Sequence, residues 1–325
     1  MDLTLIWRFV DKLRMVNDEL QTAKSQVRWS IFAFCIFTFA QTPEFDGIRA
    51  FDFLEMQCDL GPRIPGSLAI KQAREECFTY FTALADTVFW QDFTEVVPLT
   101  GDTVLNRNLV IQFGEGEKFD LLIGAHYDCR PVTDNLQYGK KDGAVLGAND
   151  AASGVAILMA LAENLAENKP PIDVVFVLFD LEDSGEPKNS YTFCRGSQFF
   201  AKNLPIPKPE KGIILDMVAD ANAHFKLESN SLKYNPEWTF AIWHRAMKLE
   251  LSEFSMSAGT AIFDDHIPLI QFARIPTVDI IDFEYPDATH RFWHTSEDIP
   301  ENCSWETLQS VGTLMLDLIY NPVSE

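Results

Sequence analysis

Four stretches of the chain are apolar on nearly every residue rather than on alternate ones: "FDLLIGA" (119–125), "PPIDVVFVLFDLED" (170–183), "KGIILDMVAD" (211–220) and "IPTVDIIDF" (275–283). A strand of that kind is buried on both faces, which is the condition of a parallel sheet with helices above and below it. The segments between and after them supply those helices. "DAASGVAILMALAENLAE" (150–167), "GSQFFAKNL" (196–204), "NPEWTFAIWHRAMKL" (235–249) and the closing "SWETLQSVGTLMLDLIY" (304–320) carry apolar residues at helical spacing. Upstream, "LAIKQAREECFTYFTALA" (68–85) reads as an amphipathic helix, and "TVFWQDFTEVV" and "NLVIQF" read as strands. The expected fold is therefore α/β, a three-layer αβα sandwich around a mostly parallel mixed sheet with helices on both faces. No internal repeat or long linker divides residues 44–325, which are expected to form a single catalytic domain.

Residues 1–43 are expected to be an N-terminal extension. Within it "WSIFAFCIFTFA" (29–40) follows Lys24 and Arg28 and ends in Ala before "QTP". That is the layout of a secretory signal, and it falls short of the ~20 apolar residues a helix needs to span a bilayer. Export to the periplasm or the cell exterior is the expectation, with no stable membrane span. Acidic residues outnumber basic ones 48 to 26, for a net charge of −22. Such a surface repels the phosphate backbone and anionic lipid, so nucleic acid is not an expected partner. The cysteines, at 35, 58, 77, 129, 194 and 303, form no C-x-x-C pair, which leaves no zinc ribbon or thioredoxin-type motif.

In open α/β sheets ligands sit outside the carboxyl ends of the strands. Here those ends are acidic or histidine: His126 and Asp128 after the first long apolar run, Asn149 and Asp150 before the long helix, Glu182 and Asp183, Asp216, and His294 in "FWHTSED". Taken singly each has a bland reading, with Asp150 as a helix N-cap, Asp216 turned to solvent and His294 an ordinary loop residue. Taken together, carboxylates without cationic partners repel one another, and a divalent cation relieves that repulsion. Imidazole and carboxylate together suit zinc. His266 shares this acidic context, whereas His224, His244 and His290 read as ordinary surface or core residues.

The motifs "AHYD", "GANDAASGVA", "FDLED", "GSQFFAKN", "ILDM" and "WHTSED" occur in that order over roughly residues 50–322. They resemble the zinc-dependent exopeptidase family that includes bacterial leucyl aminopeptidases and animal-type glutaminyl cyclases. The resemblance implies Asp150, Asp183 and His294 as ligands of one zinc and Glu182 as general base. It also implies His126 with Asp216 as ligands of a second zinc where there are two, and Asp128 as the carboxylate that orients His126. The family usually has Glu-Glu where this chain has Glu182-Asp183, one methylene shorter at the ligand.

Two details lean toward the cyclases. "IFDDHIPLI" (262–270) resembles their Asp-Asp-His-Ile-Pro stretch, and Trp293 beside His294 resembles their pocket tryptophan. On that resemblance Asp216 and Asp265 join Glu182 as catalytic residues, with Phe292 and Trp293 as substrate-binding residues. The expected reaction is cyclisation of an N-terminal glutamine, with peptide or protein N-termini as substrates. A two-zinc aminopeptidase and a non-catalytic binding protein on the same fold are the alternatives. The number of zincs stays open at this point.

Overall fold

The computed structural model describes residues 42–135, 137 and 143–323; the apolar segment 29–40 lies outside them. No helix among the described residues is long and apolar enough to cross a membrane. The chain enters through α1 (Gly47–Asp59), capped by the Asp46 side chain, which accepts the Arg49 N–H at 2.9 Å. α2 (Leu68–Thr82) is capped likewise by Ser67. The strands β1 (Thr87–Val96) and β2 (Thr103–Phe113) then form an antiparallel hairpin.

After the hairpin the pattern becomes β3 (Leu121–His126), α3 (Ser153–Glu167), β4 (Val174–Phe179), α4 (Arg195–Lys202) and β5 (Lys211–Asp216). The next segment holds β6 (Phe225–Leu227), α5 (Ser229–Tyr234), α6 (Pro236–Lys248) and β7 (Phe254–Ala258), with β6 and β7 paired as a small separate sheet. β8 (Thr277–Ile281) and α7 (Trp305–Tyr320) finish the chain. The main sheet runs β1-β2-β4-β3-β5-β8, with β4, β3, β5 and β8 mutually parallel and the hairpin antiparallel on one edge. The expected mixed, mostly parallel three-layer sandwich is what forms.

Strand alternation divides the core into two layers. In β4, Val174, Phe176 and Leu178 face a cluster built with α1, α3, α6 and α7, while Val175, Val177 and Phe179 face Phe200 and Ala201 of α4 with Leu269 and Ile275. Both sides are therefore apolar, which is why the sequence shows runs rather than alternation. β3 has β4 on one side and β5 on the other, so successive crossovers leave in opposite directions and open a crevice at the carboxyl ends of these strands.

The long helix begins later than its composition suggests. Ala148–Ala152 form a wide helical turn broken at Asp150 (φ −112°, ψ 85°), and regular α-helix starts at Ser153. The N-cap position of that helix is Ala152, with no side-chain cap, so the N-cap reading of Asp150 fails and its carboxylate is left for the crevice.

Candidate active site

β3 delivers His126 and β5 delivers Asp216, the last residues of neighbouring parallel strands. His126 Nε2 lies 3.1 Å from Asp150 Oδ1 and 3.2 Å from Asp216 Oδ1. On the other side of Asp150, His294 Nε2 lies 3.7 Å from Asp150 Oδ2 and 3.2 Å from Asp183 Oδ1. Two groups result, His126–Asp150–Asp216 and Asp150–Asp183–His294, each with its donor atoms within 4.8 Å of one another and with Asp150 common to both. The His–Asp separations of 3.1–3.7 Å are about what bonds of ~2.0–2.2 Å to one tetrahedral ion require. The buried Asp183 Oδ2 has no hydrogen-bond partner among the described residues, as a ligand oxygen reserved for a cation would not. The donors present thus fit a divalent metal of the zinc type.

The electrostatics agree. Burial alone lowers the His294 pKa, yet Asp183, Asp134 and Asp150 outweigh it and raise it to about 9. A site whose imidazole is driven to hold a proton is a site with strong negative potential, the condition that attracts a cation. Glu182 is pushed well above the ordinary carboxylate range, by burial first; His126 opposes the shift, and Asp183, Asp264 and Asp265 add to it. Such a carboxyl group is suited to exchange protons near neutral pH.

Local folding explains how these side chains meet. Asn149 is fixed by its Oδ1 accepting the Ala219 N–H at 2.7 Å, and Asp298 accepts the N–H groups of Asn149 and Asp150 at 2.7 and 3.2 Å. Gly154 lets α3 approach the sheet: a Cβ there would stand 2.3 Å from the Leu215 carbonyl oxygen and 2.8 Å from Ala125 Cβ. The His294 ring is steadied at Nδ1 by Asp134 Oδ1, 3.2 Å away. Asp134 also pairs with Arg130, whose Nη1 donates to the carbonyls of Asp183 and Gly185 at 2.7 and 2.9 Å.

A cavity of about 290 Å³ opens beside the two groups, lined by Asp150, Glu182, Asp183, Asp216, Asp264 and His294 at the polar end and by Phe193, Ile262, Ile281, Phe283 and Trp293 elsewhere. Trp293 stacks on His294 with ring centroids 3.9 Å apart and meets Phe283 edge-on.

Three expected residues sit differently. Asp128 is 3.7 Å from His126 Nδ1, beyond hydrogen-bond range; its oxygens accept the N–H groups of Glu182 and Asp183 at 2.9 and 3.2 Å, so it fixes the turn carrying those two residues. Phe292 does not line the cavity, because its ring packs edge-on against Tyr285. Asp265 is fully buried behind the wall, and its neighbour Asp264 faces the cavity instead. His266 is also fully buried, beside Glu228 and Asp279 at 3.4 and 3.6 Å. The residues that sequence reasoning missed are Asp134, Asp264 and Asp298. Asp264 and Asp298 stand inside the quoted motifs "FDDH" and "HTSED", while Asp134 lies in a loop with no pattern to mark it.

The model of peptidase family M28 matches residues 108–319 of this chain. Among solved structures, a glutaminyl cyclase from Tannerella forsythia is 33% identical with a TM-score of 0.81, covering 86% of this chain and 100% of that one. A leucine aminopeptidase precursor from Bacteroides thetaiotaomicron is 30% identical with a TM-score of 0.82, covering 87% and 99%. The glutaminyl-peptide cyclotransferase of Drosophila melanogaster is 22% identical over 283 residues, 78% of this chain and 75% of that protein. The matched segment takes in β3, β4, β5, β8 and every residue of the two candidate metal groups that share Asp150, and on that match the chain belongs to peptidase family M28.

Proposed function

We propose that the protein is a zinc-dependent glutaminyl-peptide cyclotransferase, which converts an N-terminal glutamine to pyroglutamate and releases ammonia. The observation that carries this reading is the cavity's polar end, where Glu182, Asp216 and Asp264 gather beside Asp183 and His294 under the Trp293 ring. In this reaction the nucleophile is the substrate's own α-amine, so the site must hold that amine close to the γ-carboxamide and take its proton. Asp150, Asp183 and His294 would hold the zinc, which when bound supplies a Lewis acid to the γ-carboxamide oxygen. Glu182 accepts a proton from the amine and returns it to the departing ammonia. Asp216 and Asp264 accept hydrogen bonds from the amine and keep it aimed at the carbonyl carbon. Trp293 and Phe283 exclude water from the glutamine side chain, which disfavours hydrolysis.

The substrates are then peptide and protein N-termini, and the apolar segment 29–40 directs export. A second reading, aminopeptidase, is favoured by one observation: Asp150 belongs to both ligand groups, so His126 and Asp216 complete a site for a second zinc. Glu182 would then take the proton of an attacking water. A binding protein without activity is disfavoured, because Glu182, Asp150 and His294 stand together at the site.

Mass spectrometry separates these readings. A Gln-initiated and a Leu-initiated peptide are each incubated with zinc-loaded protein and with Glu182→Gln. The expected result is a loss of about 17 Da, one ammonia, from the Gln peptide alone, with the variant slower by ~10²–10⁴. Release of free leucine overturns the cyclase reading in favour of the peptidase.

A further inference from the structure

The thiol of Cys194 donates to the carboxylate of Glu182, with Sγ 3.1 Å from Oε1. Two backbone hydrogen bonds lock the partners together: the Cys194 N–H donates to the Glu182 carbonyl and the Arg195 N–H to the Leu181 carbonyl, both at 2.9 Å. Cys194 adopts a left-handed backbone conformation (φ 54°) immediately before α4, and the Ser197 hydroxyl donates to its carbonyl at 3.1 Å. The next-nearest acceptor for the thiol, the Phe263 carbonyl, is 3.9 Å away, at the far limit for sulfur. Cys194 is fully buried. Burial and the surrounding carboxylates keep it a thiol rather than a thiolate, and hence a donor.

From this geometry we infer that Cys194 is a positioning residue for the general base: its S–H fixes one oxygen of Glu182, so that the other, Oε2, faces the reacting groups. Oε2 is the oxygen nearest His126, 4.0 Å from Nδ1. A carboxylate crowded by Asp183 and Asp264 has reason to rotate away from its neighbours, and a donor at one oxygen opposes that rotation. The Cys194 Sγ clusters within 4.8 Å of carboxylate oxygens of Glu182 and Asp264, outside the two groups that share Asp150, so metal content is measured beside turnover to separate orientation of the base from an effect on metal binding.

The inference rests on Glu182 acting as base, a role it holds in both readings of the reaction, and its test is built to survive the failure of either. Steady-state kinetics with zinc-loaded Cys194→Ala and Cys194→Ser, on whichever N-terminal peptide the wild type turns over, give the first readout. Cys194→Ala is expected to lower kcat roughly tenfold with KM within about twofold, the pattern of an interaction needed at the transition state rather than for binding. Cys194→Ser, whose hydroxyl donates to the same oxygen, is expected to stay within about threefold of wild type. Metal content equal to that of wild type confirms that neither change acts through the ligands. Infrared difference spectra supply a readout without turnover. A hydrogen-bonded S–H stretch lost in Cys194→Ala is expected to move to higher frequency in Glu182→Gln, whose amide oxygen is the weaker acceptor. Wild-type kcat in Cys194→Ala, equal impairment of the Ser and Ala variants, or an S–H band indifferent to Glu182→Gln would each overturn the inference. Leucine release in place of ammonia loss overturns only the cyclase reading.

Discussion

At His294 Nδ1 a single carboxylate, that of Asp134, fixes the ring so that Nε2 faces Asp183 and Asp150. Because Asp134 also grips Arg130, which braces the Asp183 carbonyl, its removal loosens both His294 and Asp183. Asp134→Ala is expected to weaken metal binding about 10–100-fold, read by competition with a chromophoric chelator. Undiminished affinity would mean that the loop backbone alone orients His294. The acidic and imidazole residues of the site were legible in the sequence because they follow apolar runs or precede the long helix, but their supports were not. Asp128 shows why: its motif says that a carboxylate belongs near His126, and only the folded turn reveals that it binds the amides of Glu182 and Asp183. Phe292 and Trp293 are adjacent in sequence yet diverge, one ring to Tyr285 and the other to the cavity, since side-chain direction in a loop follows no period.

At the scale of elements the metal groups depend on how closely α3 approaches β3 and β5. Gly154→Ala adds a methyl against the Leu215 carbonyl, a backbone atom that cannot swing aside. Helix propensity favours alanine by up to about 1 kcal/mol, whereas crowding of this kind costs about 1–3 kcal/mol, so the expected net effect is destabilisation. Urea denaturation checks it, and metal affinity should fall alongside because Asp150 precedes the displaced helix. A variant more stable than wild type would show that α3 has room to shift. The main strands and long helices were readable from their apolar pattern. The wide turn at Ala148–Ala152 was not, since Ala-rich composition favours continuous helix and the break at Asp150 is imposed by Asn149 and Asp298 contacts. α1 went unremarked although Asp46 offers a cap and Ala50, Phe53, Leu54 and Gln57 form its buried face. The short β6 and β7 carry too few residues to show a period.

For the whole molecule the dominant quantity is negative charge, −22 in total, with much of it under cover. Burial first raises Asp220 to about 6 and Asp298 to about 7, both above the unfolded value near 3.8. Between about pH 4 and 7 these groups bind more protons folded than unfolded, so their effect on stability declines as pH rises through that window. His294, raised to about 9 by Asp183 and its neighbours against the pull of burial, adds stability that is full below about 6.5 and lost toward 9, in the same direction. The chelated protein is therefore expected to lose Tm steadily from pH 5 to 8. Restoring zinc at about 100 times its Kd should return roughly 2.7 kcal/mol at neutral pH, seen in thermal scans. A flat profile without metal would show that the buried carboxylates are solvated after all. By itself the sequence determined the layered sheet and the acidic and imidazole character of the strand ends, because hydrophobic period and residue chemistry are local. Only the tertiary structure decided that Asp150 serves both groups, that Asp264 rather than Asp265 meets the cavity, and that Cys194 reaches Glu182. Each of these is a distance between segments separated along the chain or a direction within a loop, and crossover packing sets such quantities.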